Sequence, residues 1–220
     1  MNRVVAIDGP AGSGKSTVAR AVAAALGLEV LDTGAMYRAV TLAVLTAGSD
    51  PADAETCAAA ARAARIDLGA RVVLDDRDVT EAIRGPEVTA AVSTVSAHPA
   101  VREVLVGHQR AWASAHGGAV VEGRDIGTVV FPTAALKVFL TASDAERARR
   151  RARDEAAADR TVDVASVQAD LARRDRLDAG RAASPLVAAP DAVLVDSTDR
   201  TIDDVVRDIV EEFRRREVEA

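Results

Sequence analysis

Short, nearly uninterrupted apolar runs recur along this chain, separated by longer stretches of helical period. Residues 4–7, 28–31, 119–122, 136–140 and 192–196 lack the strict alternation of half-exposed strands, which predicts five strands buried on both faces. Between them, residues 18–26 have helical composition and stop at Gly27, and residues 35–47 place Met36, Val40, Ala43 and Val44 on one face. Gly48-Ser49-Asp50-Pro51 breaks that helix, and an alanine-rich one is expected over residues 52–65. Further helices are expected from Pro86 or Val88, over Pro99–Ala115, over 146–153 with Ser143 or Asp144 as cap, over 164–176 and over 201–215. Residues 66–79 differ: Ile66, Leu68, Val72 and Leu74 nearly alternate with polar residues, and Gly69 and Asp75-Asp76 supply turns, which predicts a small antiparallel sheet. The order implies an α/β fold: a five-stranded parallel sheet with helices on both faces and a small antiparallel β insertion.

The first strand runs into Gly9-Pro10-Ala11-Gly12-Ser13-Gly14-Lys15-Ser16, followed by Thr17 and a helix. Strand, glycine-rich loop, Lys-Ser and helix form a P-loop: the loop N–H groups turn inward around a polyanion above the positive end of the helix dipole. Lys15 would reach the β and γ phosphates, and the Ser16 hydroxyl would ligate Mg²⁺. A P-loop names a nucleotide and leaves the reaction open.

Composition narrows the remaining choices. With 220 residues and 49% hydrophobic content, the chain can bury one substantial core. No apolar run reaches membrane-spanning length and the amino terminus lacks a signal-peptide pattern, so a cytoplasmic protein without a membrane partner is expected. A net charge of −6 argues against a general nucleic-acid binder. Cys57 is the single cysteine and is expected to pack in a helix, while His98, His108 and His116 have no metal-ligand spacing. Lys15 and Lys137 are the only lysines among 28 basic residues, so each arginine is weak evidence by itself and Lys15 stands out.

Ligands bind at the carboxyl ends of such strands, where four polar clusters fall: Asp32-Thr33-Gly34 with Tyr37-Arg38, Glu122-Gly123-Arg124-Asp125, the run from Arg147 to Arg153, and Arg174-Asp175-Arg176 with Asp178 and Arg181. Arginines from separate segments suit phosphoryl transfer, because donor and acceptor phosphates repel unless their charge is matched. Arg38, Arg124, Arg174 and Arg181 are acceptor-side candidates. Arg147, Arg149, Arg150, Arg151 and Arg153 lie where a short lid over ATP would be, and part of that run must face solvent. Glu122 suits a metal-side carboxylate acting through Mg²⁺-bound water. Asp8 and Asp32 could serve likewise, or could cap turns and orient loop amides.

Four blocks together, residues 7–17, 31–38, 123–132 and 174–181, resemble the bacterial cytidylate kinases, and the similarity runs from the first strand to the last helix. The resemblance implies a single P-loop kinase domain over residues 1–220, with a CMP-binding region at about 35–115 enclosing the insertion at 66–79, and a lid at about 147–162. It implies ATP-dependent, Mg²⁺-assisted phosphorylation of CMP and dCMP by direct in-line transfer in a monomeric cytoplasmic enzyme. By matching position, Ser93, Arg102 and Asp125 would contact cytosine. Arg38, Arg124, Arg174 and Arg181 would hold the acceptor phosphate and Asp178 the sugar hydroxyls. Thr33 stands where serine also occurs, and Arg147 and Arg151 would reach ATP. Cytosine offers a donor at N4 and acceptors at N3 and O2, so carboxylate and hydroxyl acceptors with an arginine donor match it, whereas uracil reverses the polarity at positions 3 and 4. Two rivals remain from the residues alone: a P-loop kinase for another small acceptor, and a nucleotide-dependent switch or nucleic-acid-associated ATPase, for which an Asn-Lys-x-Asp guanine signature and a broad basic surface are lacking.

Overall fold

Strand β1 (Val4–Asp8) is buried at every position, as a strand covered on both faces must be. In the computed structural model, which describes residues 3–157, 163–181 and 184–219, it forms the centre of a five-stranded sheet. Its partners are β2 (Glu29–Asp32), β6 (Ala119–Gly123), β7 (Leu136–Thr141) and β8 (Val193–Asp196), in the order β2-β6-β1-β7-β8. β1 runs parallel to both β6 and β7, with Asp8 opposite Gly123 and Phe139, and β7 runs parallel to β8.

Helices flank this sheet. α1 (Lys15–Leu26) and α8 (Ile202–Glu219) close one core, in which Val18, Val22, Ile209 and Phe213 pack with Val5, Ile7, Val120, Leu136, Val138 and Leu140. Between β7 and β8 the chain forms α6 (Asp144–Ala157) and α7 (Val164–Ala179), joined by a small apolar cluster of Ala148, Val167 and Leu171. No helix among the described residues is long and apolar enough to cross a membrane.

The chain divides into two compact units, one of Met1–Val30 with Ala115–Ala220 and one of Leu31–Ser114. The second holds α2 (Thr33–Thr46), α3 (Ala54–Ala63), α4 (Pro86–Val95) and most of α5 (Pro99–Ala115). It also holds an antiparallel sheet of β3 (Ile66–Leu68), β4 (Val72–Leu74) and β5 (Arg77–Asp78). Asp75 and Asp76 take positive φ at 48° and 67° in the turn between β4 and β5, the conformation Asp tolerates better than most residues.

Several helix ends differ from the sequence expectation, and capping explains two. α3 starts at Ala54 rather than at residue 52, because the Asp53 side chain accepts from the amides of Glu55 and Thr56. α6 starts at Asp144 and extends past residue 153, with Ser143 Oγ accepting from Glu146 N at 3.3 Å. The lid expected at about 147–162 is helical up to Ala157, and residues 158–162 lie outside the described residues. Between β6 and β7 the chain forms a π-helical turn at Ile126–Val130, a rare element that periodicity does not announce.

Candidate active site

The P-loop connects β1 to α1. Gly9, Gly12 and Gly14 have φ of 152°, 77° and 89°. A Cβ on Gly9 would fall 2.0 Å from the Leu140 carbonyl oxygen and one on Gly12 2.9 Å from that of Arg147, so both space and φ exclude a side chain there. Gly14 precedes α1 and provides no side-chain cap, whereas Asp32 caps α2 by accepting from Ala35 N at 3.0 Å. No side chain competes with an anion for the start of α1, where the positive end of the helix dipole lies.

The oxygen side of the loop is held by cations. Gly9 O accepts from Arg124 Nη1 at 2.8 Å, Pro10 O from Lys15 Nζ at 2.8 Å, Ala11 O from Arg147 Nη1 at 3.0 Å and Ser13 O from Arg150 Nη1 at 3.2 Å. Lys15 is buried, Ser16 half-buried and Thr17 exposed. Of the residues expected at ATP, Thr17 therefore has the least enclosed side chain.

α6 and α7 carry the lid arginines. Arg147 is buried and also donates to Asp175 and Asp144, each at 2.6 Å. Burial disfavours its charge, but these two carboxylates outweigh that and raise its pKa. Arg151 pairs with Glu155 one turn along, while the exposed Arg149 and Arg153 pair with the half-buried Glu146. Arg150 received no separate role from the sequence, yet like Arg147 it joins three segments. Besides Ser13 O it reaches Ser197 Oγ at 3.0 Å and Ser197 O at 2.7 Å, and Glu146 anchors its Nε at 3.0 Å. The available signal was position: Arg147 and Arg150 share a helix face, and Ser197 follows β8 at the carboxyl edge of the sheet.

Beside the P-loop lies a knot of charge. Asp178 is buried and accepts from Arg124 Nε at 2.7 Å and from Arg181 Nη2 at 2.6 Å, so each carboxylate oxygen already serves one guanidinium. Arg174 has its Nε buried without a hydrogen-bond partner. Its pKa is pushed down to about 10, first by burial and then by the positive charge of Arg124, with Arg151 adding to it and Asp178 and Asp175 opposing. It stays charged at neutral pH, at an energetic cost that an incoming anion would relieve.

β6 ends in Glu122 and Gly123 and leads into the Arg124-Asp125 pair, and Glu122 and Asp125 are both buried. Asp8 answers one question the sequence left open: its carboxylate accepts from Ile126 N and Gly127 N, both at 2.7 Å, so it orients loop amides. Asp32 is a helix cap. Burial raises the Asp8 pKa to about 6; the two amides and Lys15 hold it down, and the Asp125 charge pushes it up. Lys137 donates to Asp191 at 2.9 Å.

The remaining expected site residues belong to the second unit. Thr33 is buried at the start of α2. Arg38 Nη1 donates to Ile83 O at 3.2 Å and Thr89 Oγ1 at 3.0 Å, which ties α2 to α4. The Arg102 guanidinium lies 5.7 Å from the centre of the Tyr37 ring, a cation–π arrangement that keeps a buried charge in place. Ser93 is half-buried on α4, its carbonyl accepting from Ser96 Oγ at 3.3 Å. Cys57 is buried, with Sγ 3.4 Å from Pro51 O, and packs as expected.

A cytidylate kinase family model matches residues 5–215. A cytidylate kinase from Mycolicibacterium paratuberculosis is 57% identical over 215 residues, 94% of each chain, and one from Rhodococcus opacus is 53% identical over 208 residues, 92% of this chain and 91% of that one. A bifunctional pantoate ligase/cytidylate kinase from Parasynechococcus marenigrum is 51% identical over 97% of this chain, which spans 44% of that longer protein. Among solved structures, an uncharacterized protein from Eubacterium ventriosum has a TM-score of 0.53 at 10% identity, covering 97% of this chain and 99% of that one, a likeness of fold alone.

Proposed function

The chain belongs to the cytidylate kinase family, and from that premise we infer that it transfers the γ-phosphoryl group of ATP to the phosphate of CMP or dCMP, giving CDP or dCDP and ADP. The observation that carries this reading is the anion-hungry arrangement beside the P-loop. α1 has no side-chain cap, and the underpaired Arg174 sits close enough to Arg124 to lower its own pKa. Such a site gains most from the reaction that brings two phosphate groups together.

One P–O bond forms, from a CMP phosphate oxygen to the γ phosphorus, as the bond to the β,γ-bridging oxygen breaks. The acceptor is already an anion, so no general base is needed and catalysis is positioning plus charge compensation. The P-loop amides and Lys15, on leaving Pro10 O, hold the donor phosphates. Arg38, Arg124, Arg174 and Arg181 hold the acceptor phosphate, Arg147 and Arg151 close on ATP as a lid, and Asp178 offers its remaining lone pairs to the sugar. Thr33, Ser93, Arg102 and Asp125 hold the nucleoside, with Asp125 accepting from cytosine N4.

Ser16 would supply a hydroxyl and Glu122 a carboxylate acting through bound water, a set that fits Mg²⁺ when nucleotide phosphates and water fill its other positions. When bound, that ion neutralises charge developing between the β and γ phosphates. The reading includes a monomeric protein working in the cytoplasm, where ATP and CMP are at hand. The direct test is product formation from ATP and Mg²⁺ with CMP, dCMP, UMP, AMP and dTMP. CDP and dCDP should dominate; preferential phosphorylation of another acceptor, or ATP turnover stimulated by DNA or RNA and indifferent to CMP, would replace this reading.

A further inference from the structure

Asp8 is 4% exposed and stands at the end of β1, opposite Gly123 in the parallel ladder. A carboxylate is costly to bury, and this one keeps its place through two short, charge-assisted bonds from successive amides, those of Ile126 and Gly127. These amides immediately follow Asp125. The turn is closed from its other end as well, since Asp125 O accepts from Val129 N at 2.9 Å and Val130 N at 3.2 Å, and Ile126 O from Phe131 N at 2.7 Å.

A second support lies beneath the same turn. A Cβ placed on Gly127 would meet Cδ, Cγ and Cβ of Lys137 at 3.1, 3.2 and 3.3 Å. The Lys137 stem is therefore packed against Gly127, while its ammonium is drawn away to Asp191. A lysine stem with a compact head suits this slot, which gives a reason for one of the two lysines in an arginine-rich chain.

We propose that Asp8 is a positioning residue for base recognition: by holding both amides after Asp125 it fixes the Arg124-Asp125 segment, and with it the choice of cytosine over uracil. This rests on the reading that Asp125 meets the base. It assigns Asp8 to the acceptor nucleotide, although its chain neighbours Gly9 and Pro10 belong to the P-loop. The loop has supports apart from Asp8, its glycine dihedrals and the bonds from Lys15, Arg147 and Arg150 to its carbonyls, and only the bond from Arg124 to Gly9 O is shared with the segment that Asp8 fixes.

The discriminating variant is Asp8→Asn, nearly isosteric, whose amide NH₂ would face one of the two N–H donors. Steady-state kinetics with CMP and UMP, and with ATP varied separately, should show kcat/KM for CMP falling about 10- to 100-fold and the CMP-to-UMP preference falling at least about tenfold, with the KM for ATP within about threefold of wild type. A purely structural Asp8 would lower the melting temperature and affect both substrates alike, and that result overturns the proposal. Asp125→Asn is run alongside. If it collapses the base preference and Asp8→Asn does not, the role of Asp8 is refuted and the reading of Asp125 stands; if Asp125→Asn leaves the preference intact, the reading itself fails. Should Asp8→Asn not fold, Gly127→Ala displaces the same turn from below. It should lower the CMP preference, and adding Lys137→Ala should restore it, whereas an unmoved preference in Gly127→Ala contradicts the proposal.

Discussion

Two turns leave neighbouring strands at the same edge of the sheet, one after β1 and one after β6, with Asp8 and Gly123 in register, and they are built in opposite ways. After β1 the carbonyls are occupied by Arg124, Lys15, Arg147 and Arg150, and the amides at the start of α1 have no side-chain cap. After β6 the first two turn amides are occupied by Asp8, and the chemistry resides in the side chains of Arg124 and Asp125. The first design recognises any polyphosphate, because phosphate oxygens are alike and backbone donors suffice. The second recognises one base, which requires side chains held at fixed positions by something beneath them.

The largest effect should come from removing the lysine of the first turn, whose ammonium leaves Pro10 O to meet the donor phosphates. Lys15→Ala is expected to lower kcat by about a thousandfold or more while the melting temperature changes by only a few degrees, checked by coupled assay and thermal denaturation. Next, Arg174→Ala should cost about 100- to 1,000-fold in kcat/KM for CMP. Because it removes a buried cation lacking an Nε partner, it should leave stability unchanged or raised; a large loss of stability would show that Arg174 is chiefly structural.

The sequence made these two turns legible to different degrees. The P-loop could be read outright, because its chemistry is local: glycines, Lys15 and Ser16 lie within eight residues of one another. The five strands were equally plain, since burial on both faces leaves apolar runs, and the inserted sheet showed itself by alternation. The support of the second turn was not legible. Asp8 and Gly127 are 119 residues apart, and nothing in either segment's periodicity records that they meet. The same holds for Arg150 with Ser13, 137 residues away. Arg151, expected at ATP, is paired with Glu155, a local competition that spacing at i,i+4 permits but does not decide.

Acid separates the two turns further. With its pKa raised to about 6, Asp8 protonates as pH falls through that value, turning one of its acceptors into a donor. The CMP-to-UMP preference of the wild type should then fall below pH 6 and that of Asp8→Asn should stay flat. Taking the ratio cancels the ionisation of the substrate phosphate, which titrates near the same pH. Stability moves the other way. A carboxylate whose folded pKa exceeds its unfolded value favours folding when protonated, so its contribution is full below the unfolded value of 3.8 and is lost as pH rises through about 6. The stability of Asp8→Asn relative to wild type should accordingly increase between pH 4 and 7 in urea titrations. The smallest effect is expected at the rim of the first turn: Arg150→Lys, which loses the forked contact with Ser197 and Ser13, should raise the KM for ATP about three- to tenfold with kcat little changed.

The contrast between the turns is tested most directly by a crystal structure with CMP bound. The cytosine N4 should lie within hydrogen-bonding distance of the Asp125 carboxylate while the amides of Ile126 and Gly127 remain on Asp8. A base bound away from Asp125, or a turn that has released Asp8 to present its amides to the ligand, would contradict it.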